Sequence, residues 1–123
     1  MIINSMPQKH PSFGYLYIDD SAFSVLEKRM KIDELGNLKN LINESAENPY
    51  EVKIWAAKEN NKLNADVFSV SGSSKLEKPE IESSFSVFFN KSPLKFIKSM
   101  INKSNEIFEK EQEMIKLRRK MNS

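Results

Sequence analysis

In residues 50–70, polar and apolar side chains alternate on either side of a short polar segment. No other feature of the sequence restricts the possible folds as strongly. The run YEVKIWAAKENNKLNADVFSV has the two-residue period of β-strands. At its centre, Asn60 and Asn61 suit a turn that needs positive φ. We therefore predict a β-hairpin whose two-residue loop sets Ile54 opposite Val67.

The predicted hairpin has two chemically different faces. One face is aliphatic and comprises Tyr50, Val52, Ile54, Ala56, Ala65 and Val67. The other face combines aromatic and charged side chains, namely Glu51, Lys53, Trp55, Asp66, Phe68 and Val70. In this register Trp55 and Phe68 are diagonal neighbours, close enough to touch. The sequence leaves open whether a helix covers Trp55 or whether Trp55 is displayed to a partner.

Strands and helices are predicted on both sides of the hairpin. Segments 13–18 and 85–89 are short aromatic and β-branched runs that favour strands. Asp20 or Ser21 is placed to cap a first helix. A second helix follows, with the apolar stripe Leu35, Leu38, Leu41, Ile42 and Ala46. The longest helix begins after Ser92 and continues to about residue 119.

These elements predict an α+β fold in which a small antiparallel sheet of about four strands, including the hairpin at 50–70, packs against two short helices and one long C-terminal helix. A chain of 123 residues has the length of one domain. We expect residues 1–12 to form a flexible N-terminal tail and residues 13–109 to form a single α+β domain. Residues 110–123 make the charged end of the last helix, and whether this end projects is left open.

Composition argues against most enzymatic chemistry. The chain has no cysteine and one histidine, His10, which lies in the expected tail beside a proline. Asp19 and Asp20 are adjacent, so on an extended strand end they point in opposite directions and do not share a proton or a metal. The three glycines are isolated and form no phosphate-binding loop. We therefore predict no catalytic residues, no metal and no cofactor.

The remaining composition restricts partners and location. A net charge of +2 is too small to make the whole surface attract nucleic acid or membranes. The N-terminus lacks the features of a signal peptide, and no apolar run approaches the roughly 20 residues of a transmembrane helix. We expect a cytoplasmic protein that does not contact membranes. Heavy use of the residues Lys, Asn, Ile and Ser suggests an AT-rich coding genome, such as that of a low-GC bacterium or its phage.

The last helix carries an apolar seam that suits a partner helix. Two sets of apolar residues repeat every seven positions. The first set is Leu94, Ile101, Phe108 and Ile115, and the second, at the positions just before those of the first, is Met100, Ile107, Met114 and Met121. Ser104 and Glu111 interrupt the seam, which disfavours a long two-stranded coiled coil. Packing on the domain's own sheet is one explanation of the first half. For the second half, a homo-oligomer or partner contact through Met114, Ile115 and Met121 is the alternative.

Three functional hypotheses follow. The first is a small non-enzymatic protein-binding module, a regulator or inhibitor from a bacterium or mobile element. It uses Lys53, Trp55, Phe68, Met114, Ile115, Arg118, Arg119 and Met121. The alternative is a single-stranded DNA- or RNA-binding protein that uses Lys53, Trp55, Lys62, Phe68, Lys116, Arg118, Arg119 and Lys120. The terminal basic group also complements the helix dipole without any ligand.

The order strand, helix, helix, three strands, helix resembles that of the small bacterial ribonuclease toxins of the RelE and ParE kind. The resemblance implies a ribonuclease. However, the strands lack the basic residues and the tyrosine, histidine or arginine cluster that carry such chemistry. A toxin-like ribonuclease is therefore the third and lowest-ranked hypothesis.

Overall fold

A four-stranded sheet, four α-helices and a 3-10 turn make up the described part of the chain. The computed structural model describes residues 15–44, 48–57, 61–89 and 91–122. The elements in chain order are β1 (Tyr15–Ile18), α1 (Asp20–Arg29), a 3-10 turn (Ile32–Glu34), α2 (Leu35–Glu44), β2 (Glu51–Ala56), β3 (Leu63–Phe68), β4 (Glu80–Ile81), α3 (Ser84–Phe88) and α4 (Pro93–Met121). The α+β fold with one long C-terminal helix is confirmed. The predicted tail 1–12, with His10, lies outside the described residues.

The sheet is mixed, so the prediction of an antiparallel sheet is wrong for one strand pair. Its strand order is β1-β2-β3-β4. The pairs β2–β3 and β3–β4 are antiparallel, whereas β1 runs parallel to β2. The chain between β1 and β2 includes α1 and α2, and parallel neighbours need a crossover of this length.

The hairpin register differs from the predicted one by two residues. Val52, rather than Ile54, lies opposite Val67, and Ile54 lies opposite Ala65. Because the side-chain period of a strand is two, this even shift leaves every side chain on its predicted face. The predicted turn residue Asn60 lies outside the described residues.

The fourth strand is not where the sequence predicted it. Residues 80–81 form β4, and most of the predicted strand 85–89 belongs to helix α3. Ser83 caps this helix by accepting a hydrogen bond from the backbone N–H of Ser86 (3.1 Å). A short apolar run fits a strand or a helix equally well by period, and here the cap selects the helix.

Helices α1 and α4 bury their apolar stripes against the aliphatic, inner face of the sheet. The core consists of Ile18, Ala22, Val25, Leu26, Leu38, Tyr50, Val52, Ile54, Ala56, Leu63, Ala65, Val67, Leu94, Ile97 and Met100. The predicted stripe of the second helix is only partly correct, because Leu35 and Ile42 are exposed and Leu38 alone is fully buried. Ala46 lies outside the described residues.

The first helix begins one residue earlier than predicted. Its cap is Asp19, whose carboxylate accepts the backbone N–H of Ala22 (3.0 Å). Ser21 instead links helix and sheet, since its hydroxyl donates to Asp19 (2.6 Å) and accepts the backbone N–H of Ala56 (2.9 Å). The start of α1 is therefore tied to the end of β2.

A buried ion pair joins the end of α1 to the segment that leads into α3. The guanidinium of Arg29 donates from Nη1 and Nη2 to the two carboxylate oxygens of Glu82 (2.5 and 2.9 Å). Arg29 also donates to the backbone oxygens of Asn61 (3.0 Å) and Lys91 (2.9 Å). Glu82 accepts in addition the backbone N–H of Leu63 (3.2 Å). This network fixes both ends of the segment that carries α3.

Candidate interaction surfaces

The outer face of the sheet carries Trp55 and the other aromatic and charged residues of the hairpin. All strand residues of the core belong to the inner face, and the buried apolar residues of α1 and α4 belong to the same core. Trp55 and Phe68 are half-buried, and the neighbouring Tyr17 and Ile81 are exposed. Within the described part of the chain, Trp55 is therefore outside the core.

The register separates the two aromatic residues that the sequence brought together. Trp55 lies opposite Asn64, whereas Phe68 lies opposite Glu51. Asn64 and Phe68 are four residues apart on β3, which corresponds to about 13 Å along the strand. The predicted contact between Trp55 and Phe68 is therefore wrong.

A carboxylate lies opposite the predicted cationic residue of this face. Lys53 pairs in register with Asp66, which is buried. The Asp66 carboxylate accepts hydrogen bonds from the Ser74 hydroxyl (2.8 and 2.9 Å) and from the backbone N–H of Val67 (2.7 Å). This negative charge opposes the attraction of phosphates to Lys53. Lys62, also predicted to bind nucleic acid, is half-buried just before β3.

Helix α3 and its C-cap display a cluster of three phenylalanines that was not predicted from the sequence. Phe85, Phe88 and Phe89 are 60%, 78% and 59% exposed. The ring centroids of Phe85 and Phe89 are 4.5 Å apart, and those of Phe88 and Phe89 are 5.0 Å apart. The ammonium of Lys91 lies 5.6 Å from the ring of Phe85. We call Phe85, Phe88 and Phe89 the phenylalanine cluster.

The spacing of the cluster was a signal that its rings share one face of a helix. Positions 85, 88 and 89 are separated by three and four residues, which places their side chains together on a helix. The strand interpretation spread them over two faces and concealed this. None of the three rings belongs to the core or to the partly buried residues packed against it. Burial of one such ring stabilises a protein or complex by about 1.5–3 kcal/mol. A partner that covers the cluster would therefore gain binding free energy from the burial of its rings.

The remaining predicted partner residues lie on the exposed end of α4. Every residue from 112 to 122 is exposed. This stretch includes the predicted Met114, Ile115, Lys116, Arg118, Arg119, Lys120 and Met121, together with Leu117, which was not predicted. The structure does not join them to Trp55 and Phe68, because α4 packs on the inner face and those two residues belong to the outer one.

The two polar interruptions of the α4 seam are where the helix binds its own domain. Ser104 is fully buried, and its hydroxyl accepts a hydrogen bond from the Asn48 side-chain amide (3.1 Å). Glu111 accepts hydrogen bonds from the Tyr50 hydroxyl and from the Lys75 ammonium (2.9 Å). Up to Glu111, contacts of α4 with its own domain thus account for the polar interruptions of the seam.

The Glu111 cluster shifts the titration of all three of its members. Partial burial, aided by the hydrogen bond to Glu111, raises the pKa of Tyr50. The same burial pushes the pKa of Glu111 upward, but the hydrogen bonds from Tyr50 and Lys75 outweigh it and lower this pKa. The hydrogen bond to Glu111 raises the pKa of Lys75. All three shifts favour the hydrogen-bonded cluster, which indicates a structural role.

Two further properties restrict what the described residues can do. Within the four described ranges, no group of three or more histidine, aspartate or glutamate residues is placed to hold a metal ion. No helix in these ranges has the length and apolar character needed to cross a membrane. No protein-family profile, curated protein or solved structure matches the chain. Its function has to be inferred from its own surfaces.

Proposed function

We propose that this chain is a non-enzymatic protein-binding module and that the phenylalanine cluster is its main contact surface. The supporting observation is the display of three neighbouring rings, in which Phe89 contacts both Phe85 and Phe88, at a helix that buries no residue of its own. Exposed apolar patches of this kind mark interaction sites, and aromatic residues dominate the energetics of protein interfaces. The role we propose is that of a regulator or inhibitor that acts by binding.

The chemistry around the cluster favours a protein over a nucleic acid. Single-stranded nucleic acids need aromatic rings along a continuous cationic groove. Lys91 is the cation found near these rings, and residues 83, 84 and 86 of the same segment are serines. An apolar surface with a polar, weakly charged rim matches the usual organisation of protein interfaces.

The segment that carries the cluster is held in place before any partner binds. Glu82 precedes α3 and Lys91 follows it, and both are bound to the same guanidinium of Arg29. Ser83 caps the first turn. Because this order is already present, a partner loses little conformational entropy in ordering the segment.

The proposal is tested by photo-crosslinking followed by affinity measurement. A photoreactive phenylalanine analogue replaces Phe88, which is 78% exposed, and the control carries it at Ile32, an apolar residue on the 3-10 turn that is 88% exposed. We expect cells of the native host to yield a crosslinked protein from position 88 that is absent from position 32. For that protein, purified, we expect Phe88→Ser to raise the Kd at least about tenfold and Ile32→Ser to leave it unchanged.

Three outcomes contradict the proposal. One is the absence of a protein adduct at position 88, and another is an adduct with nucleic acid there. The third is equal loss of affinity in the Phe88→Ser and Ile32→Ser variants. Circular dichroism establishes that both variants are folded, which we expect because neither side chain belongs to the core.

A further inference from the structure

The end of α4 carries an exposed apolar stripe that is independent of the phenylalanine cluster. Met114, Leu117 and Met121 recur at intervals of three and four residues, and they are 56%, 52% and 84% exposed. The exposed stretch 112–122 corresponds to about 16 Å of helix. A helical end of this length gains little stability without packing. The stripe therefore has the form of one half of a helix–helix contact.

Charge is segregated along the same part of the helix. The acidic residues precede the middle of the stripe and are Glu106, Glu109, Glu111 and Glu113, with Lys110 as the one basic residue among them. The basic residues follow it and are Lys116, Arg118, Arg119 and Lys120. A helix with this arrangement is complementary to a reversed copy of itself.

We propose that two copies of this chain form a homodimer in which the ends of α4 pair antiparallel around a twofold axis. Met114 of one copy lies opposite Leu117 of the other, and the aliphatic stem of Lys110 covers Met121. The acidic turns of each copy then lie beside the basic turns of the other. The interface is isologous, so it closes at two subunits.

The charges select the antiparallel orientation over the parallel one. In a parallel pair, each residue of the stripe meets its own counterpart, so Lys110 lies against Lys110 of the second copy. Glu106 lies beside Glu111 in the same arrangement, because these positions flank a parallel helix contact. Like charges at these distances oppose association. The antiparallel pair has neither contact, because Lys110 meets Met121 and Glu106 lies outside the paired stretch 110–121.

The anchor at Glu111 lies near the domain end of the paired stretch 110–121. Glu111 is held by Tyr50 and Lys75, and residues beyond it are exposed. The contact is thus confined to about three turns per copy, which is small for a protein interface. We therefore expect a weak, concentration-dependent dimer.

Sedimentation equilibrium of the full chain tests the association. We expect the average mass to rise from 14.2 kDa toward twice that value as the concentration increases to about 1 mM. Leu117→Glu is expected to keep the chain monomeric, and Ile32→Glu, a matched change at an exposed apolar residue elsewhere, is expected to leave the dimer intact. A constant mass of 14.2 kDa overturns the proposal, as does loss of the dimer in the Ile32→Glu variant.

Disulfide crosslinking tests the orientation, and the absence of native cysteine makes the result unambiguous. The variants are Lys110→Cys and Met121→Cys, at two exposed positions. In the antiparallel pair the two copies of residue 110 are about 16 Å apart along the axis, beyond the reach of a disulfide. We expect oxidation to crosslink a mixture of the two variants but neither variant alone. Crosslinking of each variant with itself indicates a parallel pair and refutes the proposal.

Discussion

Replacing Glu82 with alanine tests the claim that the buried ion pair holds the fold and the α3 segment in place. The two side chains are only 5% and 3% exposed in Arg29 and Glu82, respectively. The change removes the carboxylate and leaves the Arg29 charge buried with two backbone oxygens as its remaining partners. It also leaves the backbone N–H of Leu63 without the Glu82 acceptor.

The expected cost is large relative to the stability of a small domain. Removing one partner of a buried ion pair destabilises a protein by about 3–5 kcal/mol, because the other charge stays uncompensated. The free energy of unfolding of a domain is about 5–15 kcal/mol. With a urea m-value of about 1–3 kcal/mol/M, the loss lowers the urea midpoint by at least about 1 M.

Urea unfolding followed by circular dichroism at 222 nm measures this shift. The matched comparison is the double variant Arg29→Met/Glu82→Leu, which removes both charges while keeping much of the buried volume. We expect the double variant to be more stable than Glu82→Ala, since no unpaired charge remains. A loss below about 1 kcal/mol in Glu82→Ala, or equal instability of the two variants, refutes this reasoning.

Three further predictions concern the α4 anchors and the nucleic-acid hypothesis. Because the pKa of Glu111 is lowered on folding, its stabilising effect is present above about pH 4.3 and is lost as the pH falls through the folded pKa. Glu111→Gln should therefore reduce the loss in free energy of unfolding at acidic pH, by less than about 1 kcal/mol for this partly exposed group. Urea unfolding at several pH values measures this loss, and an unchanged loss contradicts the assignment. Asn48→Ala should lower the free energy of unfolding by about 1–3 kcal/mol, because the buried backbone N–H of Tyr50 loses its acceptor, and a neutral effect rules out this anchor. The nucleic-acid alternative predicts oligonucleotide affinity that falls steeply with salt and weakens in Trp55→Ala, and the absence of binding at low salt eliminates it.

Local sequence signals predicted most of the elements and their buried faces. The inner and outer faces of β2 and β3 follow from a period of two that is insensitive to an even register shift. The start of α4 was predicted at Ser92 and Pro93, and Ser92 does cap this helix by accepting the backbone N–H of Leu94 (3.3 Å). These features depend on residues close in sequence, so their physical causes are visible there.

The candidate sites were predicted only in part. The apolar and basic residues at the end of α4 were identified from their spacing, and the structure places them on an exposed stretch. The phenylalanine cluster was missed because a five-residue run with four apolar residues fits either a strand or a helix. The contact between Trp55 and Phe68 was predicted from a hairpin register that depends on the length of the loop. The predicted register is wrong by two residues, and in the observed register the two side chains lie apart.

The sequence by itself determined the α+β class, the identity of the core face and the amphipathic helices, because period and capping are local properties. Only the tertiary structure decided that β1 is parallel to β2, that Ser104 and Glu111 anchor α4, and that 84–88 is helical with its rings exposed. These outcomes depend on contacts between distant residues. The clearest case is Glu82, which binds Arg29 from across the fold and so fixes the path of the chain into α3.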